Sequence, residues 1–134
     1  MFYGKGKRTA TVVAGISILI VAYSFTTVSP MATLMKGMLA YLQKEKKAIV
    51  ANKKKNPAPA NYTDIYTAAI TEGKKLAPEH KELSRQLLNN LSNYHTAASG
   101  DRKTQFNLVV QSCVACHSKV CPGPIEAIEQ NLIE

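Results

Sequence analysis

The sequence predicts an all-α protein: an antiparallel four-helix bundle that follows an N-terminal transmembrane helix. Apolar residues recur every three or four positions in four blocks after residue 29, and no stretch sustains a two-residue alternation. Four amphipathic helices joined by short links within about 105 residues favour a bundle. The chain of 134 residues is 46% hydrophobic and 19% charged, which excludes a disordered chain and a large α/β enzyme.

The first 29 residues have the pattern of a membrane anchor. Lys5, Lys7 and Arg8 precede a stretch from residue 9 to residue 35 that contains no charged side chain. About 20 helical residues span the hydrocarbon of a bilayer, and flanking basic residues favour the cytoplasmic side. The alternative is a signal peptide, because Ala22-Tyr23-Ser24 resembles a cleavage site. Both interpretations place the rest of the chain on the periplasmic side of the cytoplasmic membrane.

The first two predicted helices follow the anchor. The first begins at Pro30 with Ser29 as a possible cap, and it ends in a basic run over residues 44–55. The second starts near Asn61 or Thr63 and ends around Gly73. The apolar stripe of the first helix has these members: Met31, Leu34, Met35, Met38, Tyr41, Leu42 and Ile49.

The third and fourth predicted helices form the second half of the chain. The third opens at Pro78-Glu79 and stops at Ser99-Gly100. The fourth opens with Asp101 as its cap and ends near Cys121, because Pro122 forbids continuation. Its apolar stripe has these members: Phe106, Val109, Val110, Cys113, Cys116 and Val120. Residues 122–134 are predicted to form a short amphipathic C-terminal tail.

The strongest chemical signal is the pentapeptide Cys113-Val114-Ala115-Cys116-His117. On a helix Cys113 and Cys116 share a face, and each thiol can add to one vinyl group of a haem. His117 then turns its imidazole toward the iron as the proximal ligand. The motif predicts one covalently attached haem c, carried by a haem domain over residues 30–121.

Three other interpretations of these cysteines compete with haem. A thioredoxin-like site needs a βαβ context, which the pattern lacks. A zinc site of Cys113, Cys116, His117 and Cys121 needs ligands that converge, whereas one rigid helix splays Cys116 and His117 apart. Ordinary core thiols are the third alternative. The export signal and the pentapeptide together favour haem.

A four-helix bundle with this motif on its last helix resembles the class II c-type cytochromes, which include cytochrome c′ and its low-spin relatives. Residues 98–101 (Ala-Ser-Gly-Asp) and 111–117 resemble the turn and the haem helix of that family. Leu34-Met35-Lys36-Gly37-Met38 resembles the segment of the low-spin members whose first methionine is the sixth iron ligand. The resemblance implies that Met35 coordinates the iron opposite His117.

The sixth ligand decides between two functions. A His117/Met35 iron reorganises little between oxidation states, and its thioether favours the ferrous form, which predicts an electron carrier. Met31 and Met38 share the stripe and are fallback ligands. An iron without a sixth ligand predicts a gas-binding protein for nitric oxide or carbon monoxide, as in cytochrome c′ itself. His80 and His95 lie in polar stretches, where a solvated surface histidine is expected.

The predicted function is electron transport at a membrane, and no enzymatic activity is expected. Lys and Arg number 17 against 9 Asp and Glu, a net charge of +8 that favours acidic partners. We expect redox protein partners, such as a respiratory or photosynthetic membrane complex, of which the chain could also be a structural haem subunit. No nucleic-acid partner is expected, because the basic charge lacks interleaved aromatic residues.

Overall fold

The computed structural model describes residues 28–134. The predicted anchor therefore lies outside the described residues, apart from its last two positions. The described chain is all-α, as predicted, and contains no β-strand. Its α-helices are α1 Pro30–Val50, α2 His80–Thr96, α3 Arg102–Val120 and α4 Ile125–Glu129. From residue 28 onward, no helix is both long enough and apolar enough to cross a membrane.

Helix α1 begins where the sequence predicts. The Ser29 hydroxyl accepts a hydrogen bond from the Ala32 N–H at 3.2 Å, and Pro30 occupies the first helical position. The predicted stripe is largely confirmed, with Met31, Met35 and Ile49 only partly buried against the core. The buried residues of α1 are Leu34, Met38, Tyr41, Leu42, Glu45 and Ala48.

The prediction of a second helix ending around Gly73 is wrong. Only a short 3₁₀ helix, Tyr62–Tyr66, forms there, and Ile65 is its one buried residue. Tyr, Thr and Ile dominate this segment, and such side chains lose rotamer freedom in an α-helix. A helix is stabilised mainly by packing an apolar face, and a face with one buried side chain offers little. The chain instead passes the start of α1, where the Met31 N–H donates to the Ala69 carbonyl at 3.0 Å.

Helices α2 and α3 form an antiparallel pair. The rings of Tyr94 and Phe106 lie 5.8 Å apart, and Asn90 donates to the Ser112 hydroxyl at 2.6 Å. The earlier residue of α2 thus contacts the later residue of α3, so the two helices run in opposite directions. Both predicted starts hold within a residue, because α2 begins after Glu79 and α3 after Asp101. Helix α3 ends at Val120, as the following proline predicts. This pairing sets the position of the cysteine motif near the C-terminal end of α3.

One apolar core joins the three long helices, the 3₁₀ helix and α4. The tail after residue 121 folds onto this unit, because Ile128 of α4 is only 5% exposed within the core. The core cluster comprises Leu34, Met38, Tyr41, Leu42, Ile65, Leu87, Leu91, Tyr94, Phe106, Val109, Val110, Cys113 and Ile128. Burial of so many large apolar side chains is the main stabilising contribution to the fold.

A buried ion cluster ties α1 to the other two long helices. Glu45 is 0% exposed, and Arg102 donates to its carboxylate at 2.7 Å. Tyr94 donates through its hydroxyl, and Asn56 donates through its main-chain N–H and its amide at 2.9 and 2.6 Å. Burial alone would raise the pKa of Glu45, but these hydrogen bonds outweigh it and hold the pKa below its usual value.

Candidate haem-attachment site

Cys113 and Cys116 lie one turn apart on α3, and Cys113 faces the core. The Cys113 side chain belongs to the apolar core and is 8% exposed, while Cys116 is partly buried. Both are free thiols. The period of Phe106, Val109 and Val110 along the same helix produces this placement, since steps of three and four residues keep side chains on one face. One thiol thus faces the interior, and the second lies a turn later, partly buried.

Burial keeps both thiols protonated. It raises the pKa of Cys113 to about 12 and also raises the pKa of Cys116. A redox-active or nucleophilic cysteine needs the opposite shift, toward the thiolate. The neutral S–H form can still add across a vinyl group, since the sulfur bonds one carbon and the hydrogen ends on the other. The electrostatics therefore disfavour a thioredoxin-like reaction and are compatible with thioether formation.

His117 is held in one tautomer by the end of the helix. Its Nδ1 lies 2.9 Å from the backbone carbonyl of Cys121, and the Cys121 N–H donates back to the His117 carbonyl at 3.0 Å. A carbonyl oxygen can only accept, so Nδ1 carries the proton. Nε2 is then left with its lone pair, which is the form in which imidazole binds a metal. Main-chain geometry thus occupies Nδ1 and leaves Nε2 as the ring nitrogen available to a ligand.

The four residues of the alternative zinc site do not converge. Across residues 28–134 no group of three or more His, Cys, Asp or Glu side chains is arranged to hold a metal ion. A haem needs fewer converging ligands from these residues. Its iron would take only His117, and the porphyrin would be fixed through the sulfurs of Cys113 and Cys116. The donor set of Cys113, Cys116 and His117 therefore fits a covalently held haem.

Three methionines of α1 contribute to the same apolar region. Met38 is 5% exposed inside the core cluster that contains Cys113, and Met31 and Met35 pack against that cluster while partly exposed. The predicted ligand Met35 and Cys113 thus contact one continuous core, while Cys116 is not among the residues of that cluster. A methionine here has packing contacts either way, so its role as a ligand remains a prediction.

The expectation that both remaining histidines are solvated is wrong. His80 is 8% exposed at the start of α2, where its Nε2 lies 3.4 Å from the Ser84 hydroxyl. His95 is partly buried, and its Nε2 lies 3.0 Å from the Tyr41 hydroxyl. Burial lowers the pKa of both imidazoles. The polar neighbours in the sequence concealed this burial, because they occupy the other faces of α2.

The chain matches no protein-family profile, no curated protein and no solved structure. The resemblance to the class II cytochromes accordingly rests on the pentapeptide, the preceding turn and the methionine segment alone. Sequence reasoning did not find the Cys121 carbonyl as the partner of His117. No residue type signals it, since every residue carries a carbonyl and only the path of the chain decides where it points.

Proposed function

We propose that this protein is a membrane-anchored mono-haem c-type cytochrome that carries single electrons. The observation that carries the proposal is the pairing of a buried thiol and a partly buried one, a turn apart on α3, with an imidazole whose Nδ1–H is bound to the Cys121 carbonyl. Cys113 and Cys116 would hold the porphyrin by thioethers, and His117 would bind the iron through Nε2. When bound, the haem supplies one-electron chemistry.

The role of the fold in this proposal is to exclude water and fix the axial ligands. The predicted four-helix bundle is reduced to three long helices in the described chain, because only the short 3₁₀ helix Tyr62–Tyr66 forms where the second was expected. Phe106, Val109 and Val110, all 0% exposed, form the packed scaffold from which the motif projects. A rigid scaffold keeps ligand positions similar in both oxidation states, which favours electron transfer over ligand exchange.

Met35 is the proposed sixth ligand, as the methionine segment of the low-spin family members implies. Its partial exposure against the core leaves the thioether less confined than that of Met38, which is packed among core side chains. We propose further that residues 1–29 anchor the chain in the cytoplasmic membrane with the haem domain on the periplasmic side. Redox partners would be reached there, and Lys44, Lys47, Lys53 and Lys54 are exposed for docking on acidic surfaces.

An absorption spectrum of the Met35→Leu variant tests the ligand assignment. We expect the wild-type protein to have a low-spin ferric spectrum and, when reduced, not to bind carbon monoxide. Met35→Leu should become high-spin and bind carbon monoxide rapidly, because the iron loses its thioether. Met38→Leu removes a thioether from the same helix at similar volume and serves as the control, with an unchanged spectrum.

The outcome separates the electron carrier from the gas-binding alternative. Rapid carbon monoxide binding by the reduced wild-type protein would mean an open iron and would support the gas-binding function. A low-spin spectrum that survives Met35→Leu but is lost in Met31→Leu or Met38→Leu would move the ligand to that methionine. A spectrum unchanged in all three variants would contradict methionine ligation.

A further inference from the structure

The chain after α3 forms a strap along the outside of that helix. We call residues 122–134 the C-terminal strap. It turns at once, with the Ile125 N–H donating to the Pro122 carbonyl at 3.0 Å, and α4 follows. Ile128 enters the core, and Asn131, 3% exposed, donates its amide to the Ala127 and Ile128 carbonyls. The strap thus runs back from the C-terminal end of α3 toward its N-terminal half.

Three polar side chains clamp the far end of the strap: Lys46, Asn107 and Lys103, whose ammonium donates to the Glu134 carbonyl. The Lys46 ammonium donates to the Gln130 and Leu132 carbonyls, each at 2.8 Å. Asn107 makes a two-way pair with Ile133: its amide donates to the Ile133 carbonyl at 2.8 Å, and its oxygen accepts from the Ile133 N–H at 3.0 Å. These contacts come from α1 and α3, so the strap is fastened to both helices.

The strap begins directly after Cys121, the residue whose carbonyl accepts from His117. Cys121 leaves the helix with φ −158° and ψ 83°, far from the helical values near −63° and −42°. Its N–H still completes the helix, while its carbonyl accepts from the His117 imidazole at 2.9 Å. The direction of that carbonyl follows the direction in which the chain leaves α3. Pro122 restricts Cys121 to extended conformations, and the docking of Ile128 in the core sets the path of the chain beyond it.

We propose that the C-terminal strap is a positioning device for the His117 imidazole, and that Lys46 and Asn107 are its positioning residues. They act through the Cys121 carbonyl, which they hold on the Nδ1–H. For the iron this inference rests on the proposed haem site. A hydrogen bond from Nδ1–H makes Nε2 more basic, and a more basic ligand favours ferric iron. Loosening the strap should therefore favour the ferrous form.

The chain offers a matched pair of variants for the test. Lys46→Met removes the two hydrogen bonds from the Lys46 ammonium to the strap while keeping most of the aliphatic stem. Lys55→Met is the control, because Lys55 also donates to two main-chain carbonyls, of His95 and Ala97 at 3.1 and 2.6 Å, but touches no part of the strap. Lys46→Met/Asn107→Leu removes the fastenings made by these two side chains, leaves the exposed contact of Lys103 with the Glu134 carbonyl, and is used where the single change leaves the strap in place.

Three quantities are measured on the full chain: amide hydrogen exchange in the strap, the NMR signal of the His117 Nδ1–H, and the ferrous-to-ferric ratio at a fixed potential. We expect Lys46→Met or the double variant to speed exchange of the Ile128 and Ile133 amides about tenfold. The Nδ1–H signal should weaken or disappear, and the ferrous-to-ferric ratio should rise several-fold. Lys55→Met should change none of the three.

Two results would overturn the inference. One is faster exchange of the strap amides with an unchanged Nδ1–H signal and an unchanged ferrous-to-ferric ratio, which would make the strap a packing element only. The other is a double variant whose strap amides exchange at the wild-type rate. The Nδ1–H signal is also measured on chain without haem. The wild-type protein could carry no haem while the Nδ1–H signal still weakens in the strap variants. That result would contradict the proposed function and retain the positioning role.

Discussion

At the scale of single residues, Glu45 shows that a charged side chain can be fully buried. In the sequence it stands between Lys44 and Lys46, inside a basic run that resembles a solvated helix end. It nevertheless continues the apolar stripe of α1, one turn after Tyr41 and Leu42, and it is fully buried. Its position was predictable from the period of the helix, but its partners, Arg102 and Tyr94, lie about 50 residues away along the chain. Only the tertiary fold brings them together.

Glu45→Gln should lower the free energy of unfolding by about 3 kcal/mol, because it leaves the nearly buried Arg102 guanidinium without its counter-charge. The side chain of Arg102 is only 11% exposed, so water cannot replace the carboxylate fully. Urea denaturation measures the effect, with the exposed Glu126→Gln as control. Adding Arg102→Met to Glu45→Gln should recover part of the loss. A change in the single variant no larger than in the control would mean that the ion pair contributes little.

At the scale of elements, local chemical signals were reliable at the start of α1 and at the end of α3. They failed at two other places, because Asp101 makes no side-chain capping bond and α2 ends at Thr96, before the predicted stop at Ser99-Gly100. Proline and serine at the start of α1, and proline after α3, act within one turn and were confirmed. The 61–73 segment has apolar residues at helical spacing but contributes only Ile65 to the core. Its conformation depends on neighbours distant in sequence, chiefly the start of α1. Periodicity alone could not predict that it would remain mostly irregular.

Ser29→Ala should lower the free energy of unfolding by about 1 kcal/mol, since it removes the oxygen that accepts from the first turn of α1. The same hydroxyl accepts from the Thr71 hydroxyl at 3.2 Å, so the contact between this turn and the 61–73 segment should loosen as well. Ser92→Ala on the exposed face of α2 is the control. Ser29→Asp should retain most of the stability. Equal stability of Ser29→Ala and wild type would show that the cap is frayed in solution.

At the scale of the whole molecule, the residues of the candidate site were largely predictable from the sequence, and the contacts that hold them in place were not. The pentapeptide marks the two thiols and the imidazole. The stripe of α3 predicts that Cys113 faces inward, which is confirmed, whereas Cys116 and Val120 of the same stripe are only partly buried. The C-terminal strap carries no motif, and its fastening through Lys46 and Asn107 joins backbone groups that any sequence would possess. Long-range contacts between side chains and carbonyls therefore set the limit of the sequence analysis.

The buried histidines and Glu45 predict how stability depends on pH. Burial holds the pKa values of His80 and His95 below 6.5, so the unfolded chain takes up protons that the folded chain refuses. Stability should be highest above pH 6.5 and fall as the pH drops below it. The lowered pKa of Glu45 adds a further loss below its ordinary value of 4.5.

Denaturation in urea at about pH 7 and about pH 5 measures the histidine contribution. We expect the wild-type protein to be less stable at the lower value, and the His80→Gln/His95→Gln variant to show a smaller difference. A stability that rises as the pH falls across this interval would contradict the burial of these two imidazoles.

The most direct test of the account is the intact mass of the protein purified in denaturant from a host that attaches haem to exported chains. We predict the mass of the chain plus one haem, together with a red sample. The Cys113→Ser/Cys116→Ser variant, expressed beside it, should have the mass of the bare chain. A colourless wild-type sample with no added mass, from a host that attaches haem to a known c-type cytochrome, would contradict the central claim.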